Sequence, residues 1–304
     1  MKILVVGSSN MDISVTVDSL PKKGETLLGT GISYSYGGKG ANQACACAKL
    51  GADVTFLSCL GDDDYGRQIV SYLKSVGVKT DKIKYSKENP TGTAIISVDK
   101  KGSNSIVVVQ GANLECDVEY LRQNKEVIKE CDYILLQMEI PLSAIEYLIK
   151  KGKKYNKTII LNPAPANFEL DRDVYEFIDY ITPNETELEV MAFGSKGFKE
   201  LEESIEKLQN LGTKNILVTL GEEGASLYSN KTNITVPAYK VDAIDTVAAG
   251  DCFNGAFVTA LSKGESEEDA IRFANMASAI AVTRRGAQTS IPTLKEVEDF
   301  KNQI

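Results

Sequence analysis

The sequence predicts a three-layer α/β fold, with a mostly parallel central sheet, helices on both faces and a small β-strand lid. Short apolar runs alternate with helical patterns over most of the chain, which is typical of a parallel sheet covered on both faces. Two segments, 12–36 and 92–111, break this rhythm with β-rich runs around turns, and they predict the lid as antiparallel strands outside the main sheet. We expect one continuous domain over 1–304.

The elements follow in chain order. The first strand is predicted over 3–7, an apolar run that ends at glycine, and the helix over 39–50 is rich in small residues that allow close approach to a sheet. Further elements come from short apolar runs and amphipathic patterns. The strands are predicted over 54–59, 133–137, 158–162, 180–182 and 215–220, and the helices over 67–76, 143–155, 185–191 and 199–211. The last third is helical, with helices predicted over 247–263, 266–284 and near 294–302.

Composition excludes several classes of function. The 34 basic and 42 acidic side chains give a net charge of −8, which disfavours nucleic acid as a partner. Histidine is absent from the sequence, which removes Ser–His–Asp catalysis and argues against the usual Cys/His zinc site. The six cysteines lack a CxxC pair and are expected to be buried thiols in a cytoplasmic protein. Apolar stretches stay short of a membrane span, so we expect no membrane partner.

The strongest local pattern is segment 245–251, Asp-Thr-Val-Ala-Ala-Gly-Asp, which leads into an apolar helix. Small residues at a helix start leave the first N–H groups free to meet an anion. Gly250 allows close approach of the backbone. Asp251 has two interpretations here: it caps the helix, or it accepts a proton from an attacking hydroxyl.

Two segments near the N-terminus indicate a bound substrate. Residues 37–42, Gly-Gly-Lys-Gly-Ala-Asn, open a helix as a phosphate loop does, but they lack the Walker spacing, and a tight turn is the alternative. Asn10 and Asp12 follow the first strand, and residues two apart on an extended segment point the same way. Such a pair can hold vicinal hydroxyls of a sugar, or it can form an Asx turn.

Two strand ends in the second half indicate a nucleotide site. Asn184 and Glu187 share a helix face, where they can hold hydrated Mg²⁺ or form a capping box. Segment 219–224, Thr-Leu-Gly-Glu-Glu-Gly, has glycines that let the backbone approach a flat or phosphorylated ligand, with a β-turn as the alternative. Four of the five segments adjoin strand ends, so one crevice would collect them.

Taken in order, these segments resemble the ribokinase family of carbohydrate kinases (the PfkB group) over essentially the whole chain. Gly-Gly-Lys-Gly-Ala-Asn and Ala-Ala-Gly-Asp match the two signature regions of that family. The resemblance implies a ribokinase-like fold forming a single kinase domain, and transfer of phosphate from ATP to a sugar hydroxyl. It also implies Mg²⁺, a monovalent cation such as K⁺ as activator, and a homodimer formed through the β lid.

The resemblance also implies a role for each matching residue. Asp251 would be the base, and the amides of Ala248, Ala249, Gly250 and Asp251 would form an anion hole for the transferred group. Sugar contacts are implied at Asn10, Met11, Asp12, Gly38, Lys39, Gly40, Ala41, Asn42, Glu139 and Asp251. Nucleotide contacts, with Glu187 supporting Mg²⁺ through water, are implied at Asn184, Glu187, Thr219, Leu220, Gly221, Glu222, Glu223, Gly224, Gly250, Asp251 and Asn275. The monovalent cation is implied near Asp245, Val247, Ala281, Arg284, Gly286 and Ser290.

Ribose, phosphorylated at O5, is the expected sugar, because Asn10 and Asp12 stand two apart as in members of the family that act on ribose. A kinase of 2-deoxyribose, fructose or a nucleoside is the alternative, since substrate choice can depend on a single hydroxyl contact. A sugar-binding regulator without catalysis is the alternative from another class. The presence of Asp251 within an intact Ala-Ala-Gly-Asp segment argues against that regulator.

Overall fold

The computed structural model describes residues 1–195, 197, 200–230 and 232–303. The strands are β1 (Lys2–Val6), β2 (Asn10–Thr16), β3 (Gly31–Gly37), β4 (Asp53–Leu57), β5 (Cys59–Gly61), β6 (Lys84–Ser86), β7 (Gly92–Val98), β8 (Asn104–Val109), β9 (Tyr133–Leu136), β10 (Thr158–Leu161), β11 (Tyr180–Ile181), β12 (Asn215–Thr219), β13 (Ala225–Ser229) and β14 (Asn233–Val236). The helices are α1 (Lys39–Lys49), α2 (Asp64–Ser75), α3 (Val118–Gln123), α4 (Lys125–Glu130), α5 (Leu142–Lys154), α6 (Glu185–Phe193), α7 (Leu201–Asn210), α8 (Ala249–Ser262), α9 (Glu267–Val282) and α10 (Leu294–Lys301).

The main sheet has the strand order β14-β13-β12-β11-β10-β9-β1-β4. The strands from β12 to β4 in this order pair in parallel, whereas β13 and β14 add an antiparallel edge. The chain leaves β1 toward β4 on one side and returns to β9 on the other. Ligands of open α/β sheets bind at such a switch point, beyond the carboxyl ends of the strands.

Alternate side chains of β1 divide the core into two layers. Ile3 and Val5 belong to the apolar cluster formed with α1, α2, α8 and α9, and Leu4 and Val6 belong to the cluster formed with α3 to α7. This is the period-two alternation of a strand buried on both faces. The predicted three-layer α/β fold is confirmed.

The second sheet has the order β3-β2-β7-β8 and contains the segments predicted to form a lid. The β2–β3 and β7–β8 pairs are antiparallel, but β2 and β7 pair in parallel, so the prediction of purely antiparallel strands was wrong on this point. Each hairpin is formed by one continuous segment of the chain. The parallel pair arises because β2 and β7, the first strands of the two hairpins, lie next to each other and run in the same direction.

Several boundaries differ from those predicted. The strand predicted over 54–59 is divided: β4 ends at Leu57, and Cys59 opens β5, which pairs with β6 in a separate small sheet. Strands β13 and β14 and the helices between 118 and 130 were not predicted. The helix predicted from 247 begins at Ala249, because Ala248 has a left-handed backbone with φ 60°. The predicted helix start at 199 lies outside the described residues, and α7 begins at Leu201.

Helices α1 and α8 pack against each other through small residues. A Cβ on Gly255 of α8 would lie 2.9 Å from the Gln43 carbonyl oxygen of α1, and it would overlap the side chain of Ala46. Glycine at 255 is therefore what lets the two helices approach this closely. Among the described residues, every helix is too short or too polar to span a bilayer.

Candidate active site

The glycine-rich segment before α1 packs directly on the chain that leaves β1. A Cβ on Gly38, where φ is +85°, would lie 2.7 Å from Ser9 Cα, and one on Gly40 would lie 2.6 Å from the carbonyl carbon of Gly7. The Ala41 N–H donates to the Ser8 carbonyl oxygen at 2.9 Å. Glycine is needed at both positions because the two backbones touch, which places the start of α1 against residues 7–10.

Asn10 and Asp12 begin β2, at the base of the second sheet. Asn10 is buried, and its Oδ1 accepts a hydrogen bond from Asn113 Nδ2 at 2.8 Å. The Asn113 Oδ1 accepts in turn from the Ser9 N–H at 2.9 Å. The Asp12 carboxylate lies over Gly37, where a Cβ would overlap it. The sequence predicted the Asn10–Asp12 pair, but it did not indicate that Asn113 orients Asn10.

Glu139 follows β9 and is held at the start of α1. Its Oε2 accepts a hydrogen bond from the Ser8 hydroxyl and another from the Lys39 N–H at 3.0 Å. The carboxyl ends of β1 and β9 are neighbours in the sheet, which is why Ser8 and Glu139 meet. The structure thus brings Glu139, Lys39 and the first turn of α1 together at the switch point.

Asp251, in the first turn of α8, faces the start of α1 from the opposite side. Asn42 Nδ2 donates to Asp251 Oδ2 at 2.8 Å, and Gln43 Nε2 donates to Asp251 Oδ1 at 2.9 Å. The residue is 7% exposed. Two neutral amides therefore hold this nearly buried carboxylate, one amide donating to each oxygen. Its side chain does not serve as the N-cap of α8, since the cap position is Ala248.

The carboxylates and Lys39 influence each other's charge. Burial, followed by the nearby charges of Glu139 and Asp251, raises the pKa of Asp12 to about 7. Burial alone would lower the pKa of Lys39, but Asp251, Glu139 and Glu187 outweigh it and raise that pKa. The site consequently concentrates negative charge around a protonated lysine, an arrangement suited to polar hydroxyl groups rather than to an apolar ligand.

The start of α8 presents its backbone to a cavity. Cys252 N–H bonds the Ala248 carbonyl at 2.8 Å, so the amides of Ala249, Gly250 and Asp251 precede the first bond inside the helix. Ala249 N–H also bonds the Thr246 carbonyl at 3.2 Å. A Cβ on Gly250 would meet nothing within 4 Å. The helix N-terminus is therefore open to an anion, mainly at Gly250 and Asp251.

This cavity has a volume of about 1000 Å³. Among the residues predicted to bind a nucleotide, those that line it are Asn184, Thr219, Gly221, Glu222, Gly224, Gly250 and Asn275. The same wall includes Tyr239, Lys240 and Val241, which were not predicted because the irregular segment after β14 carries no periodic pattern. Asn275 is buried, and its Nδ2 donates to the carbonyls of Val236 and Pro237, so it fixes the wall of the cavity.

Asn184 and Glu187 form the capping box that was the structural alternative for this pair. Asn184 Oδ1 accepts from Glu187 N–H at 2.8 Å, and Glu187 Oε2 accepts from Asn184 N–H at 2.9 Å. Burial raises the pKa of Glu187, the Asn184 N–H and Lys39 oppose that rise, and the charge of Asp251 adds to it. Glu187 thus caps α6 while lying within electrostatic reach of both Asp251 and Lys39.

The residues predicted around a monovalent cation lie where two loops meet. Asp245 Oδ1 accepts from Val247 N–H, and its Oδ2 accepts from Gly286 N–H, both at 3.0 Å. Arg284 N–H bonds the Ala281 carbonyl, while the Ser290 hydroxyl donates to the Ala287 carbonyl. Asp245 therefore joins the segment before α8 to the loop after α9.

Some predicted residues have side chains that lie in or against the apolar core. The side chains of Met11 and Ala41 lie in the apolar core beside Ile3 and Val5. Leu220 packs against the opposite core cluster, and Glu223 belongs to the short 3₁₀ turn Gly221–Glu223. A sequence motif assigns the same role to all of its consecutive residues. In a strand or helix, however, only some of those residues turn their side chains toward a given side.

Sequence reasoning missed a set of buried polar residues around Asp251. Gln43, Gln137 and Asn162 are connected by hydrogen bonds, and Gln43 and Gln137 are fully buried. A usable pattern was present, because Gln137 and Asn162 directly follow the adjacent apolar strands β9 and β10. Polar side chains at the carboxyl ends of parallel strands are the expected place for a site.

Comparison with known proteins agrees with this arrangement. The family model described as pfkB family carbohydrate kinase matches residues 1–294. The chain is 40% identical to a ribokinase of Haemophilus influenzae, over 98% of this chain and 97% of that protein. It superposes with a TM-score of 0.91 on the crystal structure of a ribokinase from Thermotoga maritima, with 41% identity over 99% of each chain.

The structure of Arabidopsis thaliana ribokinase complexed with ribose and ATP is also similar, with a TM-score of 0.91 and 34% identity over 98% of this chain and 97% of that one. The likeness holds for both fold and sequence, and it extends over nearly the whole chain. The chain therefore belongs to the PfkB family of carbohydrate kinases.

Proposed function

We propose that this chain catalyses the ribokinase reaction, in which the γ-phosphoryl group of ATP is transferred to O5 of D-ribose to give ribose 5-phosphate and ADP. The observation that carries the proposal is the position of Asp251. Its carboxylate bonds Asn42 at the start of α1 and stands in the first turn of α8, whose amides open onto a large cavity. The likeness to ribokinases over the full chain supports ribose as the acceptor.

Asp251 is the base in this proposal. It accepts the proton of the ribose O5 hydroxyl while O5 forms a bond to the γ-phosphorus and the bond from that phosphorus to the bridging oxygen of ADP breaks. The amides of Gly250 and Asp251, with contributions from Ala248 and Ala249, stabilise the negative charge on the transferred group. The carboxylate is already desolvated and held by two amides, so little reorganisation precedes the step.

The remaining polar residues of the switch point orient the sugar. Asn10, Asp12 and Glu139 offer acceptors to the ribose hydroxyls, and Lys39 supplies a cation among them. Gly38 and Gly40 bring the main chain of segment 37–42 close to the end of β1. Ala41 belongs to the same segment, and Met11 lies in β2, the next strand along the chain. A site built from such fixed acceptors rejects a sugar that lacks the matching hydroxyl, because the acceptor is then left buried without a donor.

ATP occupies the cavity that begins at α8. Asn184, Thr219, Gly221, Gly224 and Asn275 line its walls, and Leu220, Glu222 and Glu223 complete the segment between β12 and β13. The donor set fits Mg²⁺, since Glu187 has one oxygen beyond its capping bond and Mg²⁺ keeps waters beside phosphate ligands. Bound there, Mg²⁺ supplies charge neutralisation on the phosphates.

A monovalent cation, K⁺, is proposed at the loops joined by Asp245. Each Asp245 oxygen accepts one N–H bond and retains a lone pair, and the surrounding donors are carbonyl and hydroxyl oxygens, which suit a hard cation. The proposed ligands are drawn from Asp245, Val247, Ala281, Arg284, Gly286 and Ser290. Because Val247 directly precedes Ala248, such an ion would help to hold the start of α8 in place.

A homodimer is proposed through the second sheet, with this sheet acting as a lid. Ile32, Ile95 and Val107 are 61%, 45% and 60% exposed, and they lie on β3, β7 and β8 of one sheet. An exposed apolar surface on a sheet favours association with a second copy of it. Sedimentation of the wild type and of Val107→Glu tests this, since the charge should convert the dimer to a monomer. A cytoplasmic location accords with ATP as donor and with six buried, free thiols.

The test of the base uses Asp251→Asn, which keeps the shape of the side chain. We expect the melting temperature and ATP affinity to stay close to the wild type while kcat falls by about 10³-fold or more. Turnover near the wild-type rate in that variant would contradict the role of Asp251.

The test of the substrate measures ATP-dependent phosphorylation of ribose, 2-deoxyribose, fructose and adenosine, with Mg²⁺ and with or without K⁺. A strong preference for ribose and activation by K⁺ are expected. Preference for another acceptor would retain the mechanism and reassign the sugar. Absence of turnover on all four acceptors, with sugar binding retained, would favour a sugar-binding regulator instead.

A further inference from the structure

Asp251 is connected to the ends of two strands by a chain of buried amides. Gln43 Nε2 donates both to Asp251 Oδ1 at 2.9 Å and to Asn162 Oδ1 at 3.1 Å. Gln43 Oε1 accepts from Gln137 Nε2 at 2.6 Å, and Asn162 Nδ2 donates to the Thr182 carbonyl at 2.9 Å. Gln43 and Gln137 are fully buried, and Asn162 is 6% exposed.

The direction of this chain is determined at one end by the backbone. The Thr182 carbonyl can only accept, so Asn162 must turn its Nδ2 toward it and its Oδ1 toward Gln43. Gln43 must then present Nε2 to Asn162, and the second hydrogen of that same nitrogen points at Asp251. Gln43 Oε1 is left to accept from Gln137. Each amide has a single orientation, although oxygen and nitrogen have similar shapes.

From this geometry we propose that Gln43 is a positioning residue for the base: its amide sets the rotation of the Asp251 carboxylate toward the acceptor hydroxyl. The inference rests on the proposed role of Asp251. Gln43 Nε2 is fully buried, and its two other partners fix its direction, so its bond holds Oδ1 of Asp251 in one place. Asn42 donates to the other oxygen, so the plane of the carboxylate is fixed at two points.

The other charged groups that act on Asp251 are Asp12, Lys39 and Glu187. Gln43 is a neutral donor, so its bond to Asp251 is present whatever the charge of these neighbours. Gln43 also donates to Asn162, which directly follows β10. The position of Asp251 is therefore fixed by the main sheet as well as by α8.

The experiment uses Gln43→Met, which retains the length of the side chain and removes the amide, alone and combined with Asp251→Asn. We expect kcat for ribose to fall about 10- to 100-fold in the single variant, with the KM for ATP within about twofold of the wild type. In the Asp251→Asn background, Gln43→Met should change the residual rate by less than about twofold, because its effect acts through the carboxylate.

Two results would overturn the proposal: near-normal turnover of Gln43→Met, or an equal fold-loss in both backgrounds. If Gln43→Met fails to fold, Gln137→Met answers the same question one bond further away. It should lower kcat about threefold in the wild-type background and leave the Asp251→Asn rate unchanged, and any other pattern counts against the proposal. Normal turnover of Asp251→Asn would instead refute the base itself, which separates the two failures.

Discussion

Asp12→Asn should make the protein more stable at alkaline pH while weakening its binding of the sugar. The change keeps the shape of the side chain and removes a charge that is partly buried beside Glu139 and Asp251. Burial and those neighbours raise the pKa of Asp12 from 3.8 to about 7. A difference of this size corresponds to about 4 kcal/mol between the two protonation states, which is an upper limit for the effect on stability.

The sign follows from proton binding. Below pH 4 the folded and unfolded chains both carry the proton on Asp12, so the charge costs nothing. Between about pH 4 and 7 the folded chain keeps a proton that the unfolded chain has released, so the free energy of unfolding falls as the pH rises. Above pH 7 the full cost is present. The asparagine variant lacks this cost at every pH.

Urea unfolding of both proteins between pH 4.5 and 8.5 measures the difference directly. The advantage of Asp12→Asn over the wild type should grow by about 2–4 kcal/mol across this range, with most of the growth between pH 5 and 7. Asp81→Asn, at an exposed position, is the matched control and should give a flat difference. A flat difference for Asp12→Asn as well would refute the reasoning that this charge is buried at a cost.

Two further substitutions test the packing beneath the site. Gly38→Ala should cost about 3–5 kcal/mol in unfolding free energy, because its Cβ would lie within 3 Å of the backbone of Ser9 and Asn10, whereas Gly102→Ala, with nearly the same φ of +83° and open space around it, should cost about 1–2 kcal/mol; equal losses in denaturant melts would contradict the close-approach argument. Asn113→Ala should cost about 2–3 kcal/mol and raise the KM for ribose about tenfold with the KM for ATP unchanged, since it removes the donor to Asn10 and the acceptor of Ser9 N–H. An unchanged KM for ribose would show that Asn10 needs no such support.

The main sheet was predictable because its strands are short, apolar and separated by helical patterns. Buried parallel strands need apolar residues on both faces, and β1, β9 and β10 display that need in the sequence. The register and order of the strands were not predictable, since they depend on contacts between distant segments. The division at Ser58, between the end of β4 and the start of β5 in another sheet, is marked in the sequence only by one small polar residue within a mainly apolar run.

The site was predictable where residues adjoin strand ends or glycine-rich turns, as at Asn10, Asn42 and Asp251. It was not predictable where a single polar residue sits within an apolar helix or after a loop. Gln43 is such a residue, because its function depends on Gln137 and Asn162, which lie 94 and 119 positions away. Asn113 is another, since its partner Asn10 lies 103 positions away.

The close contact between α1 and α8 has an evolutionary consequence. The segment proposed to bind the sugar opens α1, and the segment proposed to bind phosphate opens α8. Gly255 lets these two helices touch without an intervening layer. The distance between the proposed sugar site and the proposed phosphate site is therefore set by the packing of two core helices. The hairpins of the second sheet lie outside that contact, so their loops and side chains can diverge and change which hydroxyl compound is admitted while the geometry of transfer is inherited intact. New specificities in this fold can arise by variation at its periphery, and a helix pair of small residues is what permits that freedom.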